Sequence, residues 1–227
     1  MRDNPDPVEA PRGRLVAAAI KLLEEGGPEA LQARRVAGAV GASTMAVYTH
    51  FGGMGKLVAA VAREGFARFA RALAAVPETS DPLADLFELA LAYREYAVAN
   101  PQLYRMMHGL TAPSGQPLAP LDLEEVLESG RYREGREAFN CVLRAVTRAL
   151  EAGEGTGEDP MRATSQLWSA AHGYVLLEIT GYFGSSGRGP RTVMLPLAVK
   201  VFSGLGHSPE SVWRSAQRVI ARGEEHP

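Results

Sequence analysis

The fold is decided by residues 34–51, which read Arg-Arg-Val-Ala-Gly-Ala-Val-Gly-Ala-Ser-Thr-Met-Ala-Val-Tyr-Thr-His-Phe. Val36 and Val40 fall on one face of a first helix, because residues three or four apart lie on the same side of a helix. Val47 and Phe51 form the matching face of a second helix. The segment therefore predicts two short helices packed across a tight turn.

The turn between these helices has suitable residues. Gly41 tolerates the positive φ that such a turn can need, and Ser43 is suited to cap the second helix by accepting a backbone N–H bond. The residues left facing outward are Ser43, Thr44, Met45, Tyr48 and Thr49, with His50 just behind them. A short polar and aromatic surface of this kind fits the major groove of DNA. Periodicity alone equally allows a plain helical hairpin.

The rest of the chain continues in helical periodicity, with no strand-period segment of useful length. Apolar spacing and Pro or Gly breaks predict further helices. The full set of predicted helices is 13–25, 32–40, 43–51, a fourth from after Gly53 to about 75, 81–100, 101–108, 121–132, 136–152, 160–183, 191–202 and 209–222. An all-α protein is the result.

Charge is distributed unevenly along the 227 residues. The formal net charge of -2 argues against a uniformly basic nucleic-acid binder. Residues 1–75, however, hold ten Arg or Lys against seven Asp or Glu, a local charge of +3, whereas the remainder carries -5. The N-terminal third is therefore the part suited to DNA.

The composition also predicts the compartment. A single cysteine, Cys141, rules out an intramolecular disulfide and is typical of a reducing compartment, which predicts the cytoplasm. Residues 1–11 are polar and proline-rich, and we expect a disordered tail there rather than a signal peptide. With 46% hydrophobic residues the chain can form an ordinary core, but it has no apolar run long enough for a membrane helix.

Residues 12–60 resemble the DNA-binding domain of the TetR family of repressors. The most specific elements are Ala37, Gly41 and the spacing Val47-Tyr48-x-His50-Phe51. The resemblance implies a three-helix helix-turn-helix DNA-binding domain at 12–60, followed at 61–227 by a larger helical domain that binds a ligand and dimerises.

The resemblance also assigns roles within that domain. It implies that Arg34 reaches bases or phosphate, that Thr44 and Met45 read bases, and that Tyr48 and His50 contact phosphate, while Thr49 suits either purpose. These roles are chemically sound, since Thr and Met methyl groups pack against thymine while hydroxyl and imidazole groups donate to phosphate oxygen.

Two positions depart from the family pattern. Gln32 stands where the family usually has a Ser or Thr cap, and Met54 occupies the site of a phosphate-binding lysine. Lys56 is the candidate that supplies the missing charge. Arg12 and Arg14 either reach the DNA backbone or a minor groove from a flexible arm, or are solvated charges at a helix start.

Residues 167–173, Leu-Trp-Ser-Ala-Ala-His-Gly, resemble the Trp-His-Gly signature of one C-terminal subgroup of the family. Trp168 and His172 share a helical face, so His172 is either a satisfied core residue or a ligand contact in a mostly apolar pocket. The remaining candidate pocket residues are Tyr104, His108, Phe139, Tyr174 and Glu178.

Dimerisation is expected through the last two helical regions together with part of the Trp168 helix. The apolar residues available there are Val193, Leu197, Val201, Val212, Trp213, Val219 and Ile220, although burial within the monomer would use the same residues. The expected function is a homodimeric regulator that acts on a palindromic double-stranded operator as a repressor and that a small-molecule effector releases.

Two other classes of function were weighed. An enzyme using His172 with Glu178 or Cys141 gains little support, because residues six apart share no helical face and no metal-ligand spacing occurs. We therefore expect no catalysis, cofactor or metal; the loop 184–190 also lacks the ending of a phosphate loop. The remaining alternative, left open by Met54, is a helical small-molecule-binding protein without DNA affinity.

Overall fold

The computed structural model describes residues 11–114, 133–153 and 157–225, the last four of them by backbone alone. These residues form ten α-helices and no strand, which confirms the all-α prediction. The helices are α1 Pro11–Gly26, α2 Ala33–Ala39, α3 Met45–Phe51, α4 Met54–Ala74, α5 Pro82–Ala99, α6 Pro101–Met107, α7 Arg133–Ala152, α8 Pro160–Ile179, α9 Leu195–Gly204 and α10 Pro209–Glu225.

Some predictions fall outside these ranges. The predicted helix at 121–132 and residues 1–10 of the predicted tail at 1–11 lie outside the described residues, whereas Pro11 lies in α1. The first helix begins at Pro11 rather than at residue 13, because proline is well tolerated in the first turn of a helix, where its missing N–H costs nothing. No helix of the described part is long and apolar enough to cross a membrane.

The chain divides into two compact units, one from Met1–Arg68 with Asn100–Gly135 and one from Phe69–Ala99 with Arg136–Pro227. In the first unit α1 packs against α2, α3 and α6. Its core contains Leu15 and Leu23 of α1, which are fully buried. The first unit thus contains α6 in addition to the predicted DNA-binding helices.

A backbone motif builds the turn after α2. Gly41 has φ +69° and donates to the carbonyl of Gly38, while Ala42 donates to the carbonyl of Ala37. This pair of bonds is the Schellman arrangement, which ends a helix and satisfies its last carbonyls. The predicted positive angle at Gly41 is confirmed, and it fixes where the chain turns into α3.

Helix α6 is fastened to α1 by one carboxylate. Glu24 accepts hydrogen bonds from the backbone N–H of Leu103 at 2.7 Å and of Gln102 at 3.3 Å. These two N–H groups lie in the first turn of α6, where no helical carbonyl is available to them. The negative charge also favours the N-terminal end of the helix dipole.

In the second unit α5 packs against both α8 and α10. A buried polar cluster holds its first turn. Asp85 accepts from the N–H of Thr79 at 2.9 Å, from its hydroxyl at 2.6 Å and from Arg148 Nη1 of α7 at 2.8 Å. Burial alone raises the pKa of Asp85, but these hydrogen bonds and the Arg148 charge hold it below its usual range.

Helix α8 ends four residues earlier than the apolar pattern predicted. Gly181, at φ +82°, donates to the carbonyl of Glu178, and Tyr182 donates to that of Leu177. This is again a Schellman ending, so the glycine overrides the apolar residues that follow it. Residues 180–183 form a turn instead of helix.

Candidate functional site

The outer face of α3 is an exposed surface with unused hydrogen-bonding groups. Met45 is 67% exposed and Tyr48 is 50% exposed, although both carry large apolar groups. Ser43, Thr44 and Thr49 are also exposed, and His50 is half-buried. On the opposite side of the helix, Val47 and Phe51 are buried. The inward and outward faces of α3 in the structure therefore agree with the prediction.

Within the described residues, the outward side chains of Ser43, Thr44, Tyr48, Thr49 and His50 make no hydrogen bond. Hydroxyl and imidazole groups that are accessible and unsatisfied are available to an external partner. The α3 face thus presents donors and acceptors together with the Met45 thioether.

The predicted cap of α3 is wrong. Thr44, not Ser43, is the N-cap residue, and it makes no side-chain cap hydrogen bond. The reason lies in the backbone: Thr44 already has helical angles, φ -53° and ψ -31°, and the Ser43 and Thr44 carbonyls accept from Ala46 and Val47. Ser43 thereby keeps its hydroxyl on the exposed surface.

The start of α2 is open to solvent. Gln32 is its N-cap residue and makes no cap hydrogen bond; its amide donates instead to the carbonyl of Glu29 at 3.2 Å. Gln32 is thus no substitute for the cap that the family pattern has here. Arg34, in the first turn, is exposed and makes no ion pair within the described part of the chain.

Two cations lie beside α3. Met54 is half-buried at the start of α4, whereas Lys56 is exposed, and its Nζ lies 3.6 Å from where a Cβ on Gly52 would be. The ammonium therefore lies near the carboxyl end of α3. Arg12 of α1 stacks over the Phe51 ring at 5.1 Å. This contact orders the side chain of Arg12 next to α3 without neutralising its charge.

A second candidate site is a cavity of about 70 Å³ in the second unit, part of it open to solvent. Its walls are α5, α8 and α9, with one residue from α7. The described residues that line it are Leu86, Leu89, Ala90, Tyr93, Val142, Leu167, Trp168, Ala170, Ala171, Tyr174, Val175, Met194, Leu197, Ala198, Val201 and Phe202.

Trp168 is one of the sequence-predicted residues that line the cavity, and it is framed by aromatic rings. Its indole meets the rings of Tyr93 at 5.2 Å and Phe139 at 5.5 Å between centroids. Phe139 is buried behind Trp168 and does not line the cavity. The Phe139 ring therefore packs against the indole and is not part of the cavity surface.

His172 lies next to the cavity wall and not in it. Its Nδ1 is 3.2 Å from the hydroxyl of Tyr93, with which it shares a hydrogen bond. Burial lowers the pKa of His172, so the imidazole is neutral at pH 7. A neutral imidazole that is already bonded orients Tyr93 and offers no positive charge to a ligand.

Tyr174 lines the cavity, but Glu178 does not. Glu178 forms a bidentate ion pair with Arg94 of α5, at 2.7 Å to Nη2 and 2.8 Å to Nε. The Tyr174 ring stacks on Phe183 at 5.0 Å, and its buried hydroxyl, near the Arg94 pair, makes no hydrogen bond of acceptable geometry. Burial raises the pKa of Tyr174 and keeps it protonated.

Tyr104 and His108 belong to the first unit. Tyr104 is fully buried, and the two rings pack against each other at 4.5 Å between centroids. The ring of Phe66 meets that of His108 edge-on at 5.4 Å. The structure thus places both candidates in the packing of α4 and α6, and neither lines the cavity described above.

Much of the cavity comes from residues that sequence reasoning missed. Tyr93, Leu86 and Leu89 lie on α5, and Phe202 and Met194 on or just before α9. The apolar residues of α5 lie all around the helix rather than on one face, so the sequence does not indicate which face borders a cavity.

The described residues contain no group of His, Cys, Asp and Glu that could hold a metal ion. The side chain of Cys141 is half-buried, and its Sγ lies 3.6 Å from Arg144 Nη2.

Two family models match the chain. The model described as "Bacterial regulatory proteins, tetR family" matches residues 15–61, and "Tetracyclin repressor-like, C-terminal domain" matches residues 86–194. Together they cover more than half of the chain. No curated protein matches it.

Solved structures share the fold. A protein of unknown function from Rhodococcus sp. RHA1 is 26% identical, with a TM-score of 0.71 over 90% of this chain and 100% of that one. FadR of Bacillus halodurans, a fatty acid degradation regulator, is 16% identical, with a TM-score of 0.63 over 92% and 100%. RolR in complex with resorcinol is 17% identical, with a TM-score of 0.60 over 92% and 94%.

Proposed function

Because the chain belongs to the TetR family of transcriptional regulators, we propose that it is a homodimeric repressor that binds a palindromic operator and leaves it when a small-molecule effector binds. As a member of this family it is a DNA-binding transcriptional regulator and not an enzyme. We place it in the cytoplasm, where its single cysteine stays reduced.

The observation that carries this proposal is the outer face of α3. A Met that is 67% exposed and a Tyr that is 50% exposed stand beside Thr44 and Thr49, and buried residues hold the opposite face. In our proposal residues 12–60 form the DNA-binding domain, Thr44 and Met45 touch base edges, and Tyr48 and His50 bond phosphate. Ser43 and Thr49 lie where they can do either.

The cations around α3 supply the electrostatic part of binding. Arg34 is exposed at the start of α2, and Lys56 points toward the carboxyl end of α3. We propose that Lys56 takes over the phosphate contact that Met54 cannot make. Arg12, ordered on the Phe51 ring, is a further phosphate contact.

For the dimer we propose the exposed side of α8, together with the exposed side chains of Val193 and Trp213. The residues at four-residue spacing on this side are exposed or half-exposed: Met161, Ser165, Ser169, Gly173 and Leu177. Small residues between two apolar ends allow two helices to approach closely. Val212 and Val219 are buried within the protomer, and Leu197 and Val201 line the cavity, so these four are unavailable to a partner.

The cavity of the second unit is our proposed effector site, with Trp168 and Tyr174 among its ligand contacts. The resorcinol complex of RolR, which shares the fold, supports a small-molecule effector. Release of DNA requires the effector to bind the DNA-incompetent state more tightly than the competent one. An effector with equal affinity for both states would leave the operator occupied.

A binding protein without DNA affinity is the second candidate, which Met54 favours. Fluorescence anisotropy of a mixed-sequence duplex separates the two, measured from low to physiological salt with purified protein. A regulator that contacts phosphates binds at low salt and loses affinity linearly on a logarithmic salt scale. Absence of binding at low salt would instead support the second candidate.

A further inference from the structure

The cavity of the second unit has no charged lining. All sixteen described residues around it are apolar, aromatic or alanine, and none is Asp, Glu, Lys, Arg or His. An ion brought into such a site loses its hydration and gains no counter-charge from the lining, which disfavours its binding. The walls alone therefore favour an uncharged occupant.

The nearest charges on the wall helices do not change this. Arg94 of α5 and Glu178 of α8 engage each other at 2.7–3.0 Å through both carboxylate oxygens. A bidentate pair of this kind is satisfied and electrically neutral as a whole. It holds α5 against α8 and leaves no free cation for a carboxylate ligand, nor a free anion for an amine.

His172 supplies no charge either. It borders the cavity through its bond to Tyr93, and burial lowers the pKa of its imidazole, so it is neutral at pH 7. The hydroxyl of Tyr93 shares this bond and is itself uncharged. Neither group is left to meet a charged ligand.

Two polar groups of the lining make no hydrogen bond of acceptable geometry among the described residues. The Tyr174 hydroxyl is buried near the Arg94–Glu178 pair. The indole N–H of Trp168 makes none among the described residues. A buried polar group without a partner costs stability, and a ligand atom that bonds it recovers that cost. Both groups can donate to oxygen.

We propose that this cavity takes an uncharged, mainly apolar molecule that carries one or two hydrogen-bonding oxygen atoms, and that it discriminates against carboxylates and amines of the same size. This inference rests on the proposed function, in which the cavity is the effector site. It adds the chemical class of the effector, which the proposed function leaves open.

The test is competition against the uncharged fluorescent probe N-phenyl-1-naphthylamine in full-length protein at pH 7. Three competitors share one ring system: 1-naphthol, which is uncharged and has a hydroxyl, naphthalene, which has no polar atom, and 1-naphthoate, which is anionic. We expect 1-naphthol to compete best and 1-naphthoate to be weaker by about tenfold or more, since its charge finds no partner. Equal or better competition by 1-naphthoate overturns the proposal.

Variants test whether the fluorescent probe binds in the cavity. Ala171→Phe fills the space beside Trp168 and should abolish probe binding, whereas Ala99→Phe, at an exposed position of α5, should leave it unchanged. Tyr174→Phe removes only a hydroxyl that makes no hydrogen bond of acceptable geometry in the protein, so the fold is kept while the advantage of 1-naphthol over naphthalene shrinks. Equal probe binding by Ala171→Phe and Ala99→Phe overturns the proposal, as does failure of the wild type to bind the probe.

Failure of this inference is distinguishable from failure of the proposed function. DNA binding by the same samples is measured by anisotropy without any competitor. Salt-dependent DNA binding together with preference for 1-naphthoate refutes the ligand class and leaves the DNA-binding regulator intact. Preference for 1-naphthol without any DNA binding supports the ligand class and refutes the regulator.

Discussion

In our proposal the side chains on α3 divide into those that contact DNA phosphates and those that contact bases. Tyr48 is half-exposed, and its hydroxyl makes no hydrogen bond among the described residues. Tyr48→Phe with His50→Ala should therefore weaken binding to all duplexes alike, by about 1 kcal/mol for each lost phosphate bond. Anisotropy titrations with several unrelated duplexes measure this effect.

Thr44→Ala is the counterpart, since a methyl group against thymine distinguishes sequences. It should change the ranking of duplexes by about 1 kcal/mol per altered base contact and leave binding to non-specific DNA nearly constant. Stability should be unaffected, because Thr44 makes no cap hydrogen bond. If both variants rank and bind duplexes as the parent does, α3 is not the recognition helix.

Asp85 sets part of the acid limit of stability. Its pKa is lowered in the folded state, so it contributes stability above the unfolded pKa of about 3.9 and loses that contribution as pH falls through its folded pKa. Asp85→Asn leaves Arg148 without its buried partner and should cost about 3 kcal/mol near pH 7. Urea unfolding at pH 7 and below pH 4 measures both effects.

The matched control is Glu78→Gln. Glu78 faces Arg144 and Arg148 at 3.9 Å and is exposed, so its loss should cost less than about 1 kcal/mol. In Asp85→Asn the decline of stability below pH 4 should also be shallower than in the parent. Equal costs for the two substitutions would show that the Asp85 cluster is not what holds the first turn of α5.

For single residues, the sequence predicted which helix face a side chain lies on, but not which distant residue it contacts. The glycine turn at 41 and the buried Val47 followed from local patterns that span a few residues. The partners of His172 and Glu178 are Tyr93 and Arg94, which lie 79 and 84 residues away in the chain. Periodicity places a side chain on a helix face and says nothing of which distant helix covers it.

At the scale of whole helices, the sequence predicted those helix ends that a glycine or proline sets. It missed an end where apolar residues continue beyond the glycine. The α2 turn at Gly41 was located from its residue type. The extension of α8 to residue 183 was wrong because Gly181 closes the helix with two backbone bonds. A glycine at the C-terminal position was the available indication.

The packing of α4 on α6 tests whether helix propensity or steric overlap decides the effect of a substitution at Gly65. A Cβ on Gly65 would lie 2.6 Å from Met107 Sδ and 3.0 Å from Leu103 Cδ1, and both side chains are buried. Alanine gains about 1 kcal/mol of helix propensity, but overpacking costs about 1–3 kcal/mol. Gly65→Ala should therefore lower the free energy of unfolding by about 1 kcal/mol.

Gly13→Ala is the control, because nothing lies within 4 Å of a Cβ there and the backbone is helical. It should gain stability by up to about 1 kcal/mol. Urea denaturation of both variants gives the comparison. A gain in stability for Gly65→Ala would mean that α6 packs less closely on α4 than described.

For the molecule as a whole, the helical class and the DNA-binding segment were predictable, whereas the cavity was not. The first segment folds from 18 adjacent residues, 34–51. The cavity is assembled from α5, α8 and α9, which span about half of the chain. Its existence depends on how those helices are spaced, and no local pattern encodes that spacing. Trp168 was found because a family signature marked it.

Dimerisation is also a property of the whole molecule. Ser169→Glu puts a charge in the middle of the exposed side of α8 and should shift the protein from dimer to monomer, with a matching loss of operator affinity. Ala99→Glu adds the same charge at an exposed position of α5 and should remain dimeric. Sedimentation velocity at micromolar concentration distinguishes them. A dimeric Ser169→Glu would move the interface away from this side.

The central claim is that α3 of each protomer reads one half of a twofold operator. The most direct test is selection of duplexes from a random pool by the purified protein at low salt, followed by sequencing. The account predicts an enriched palindrome whose half-sites lie about one helical turn apart, ~10 bp, or a multiple of it. Recovery of an unenriched pool, or of a single non-repeated half-site, would contradict it.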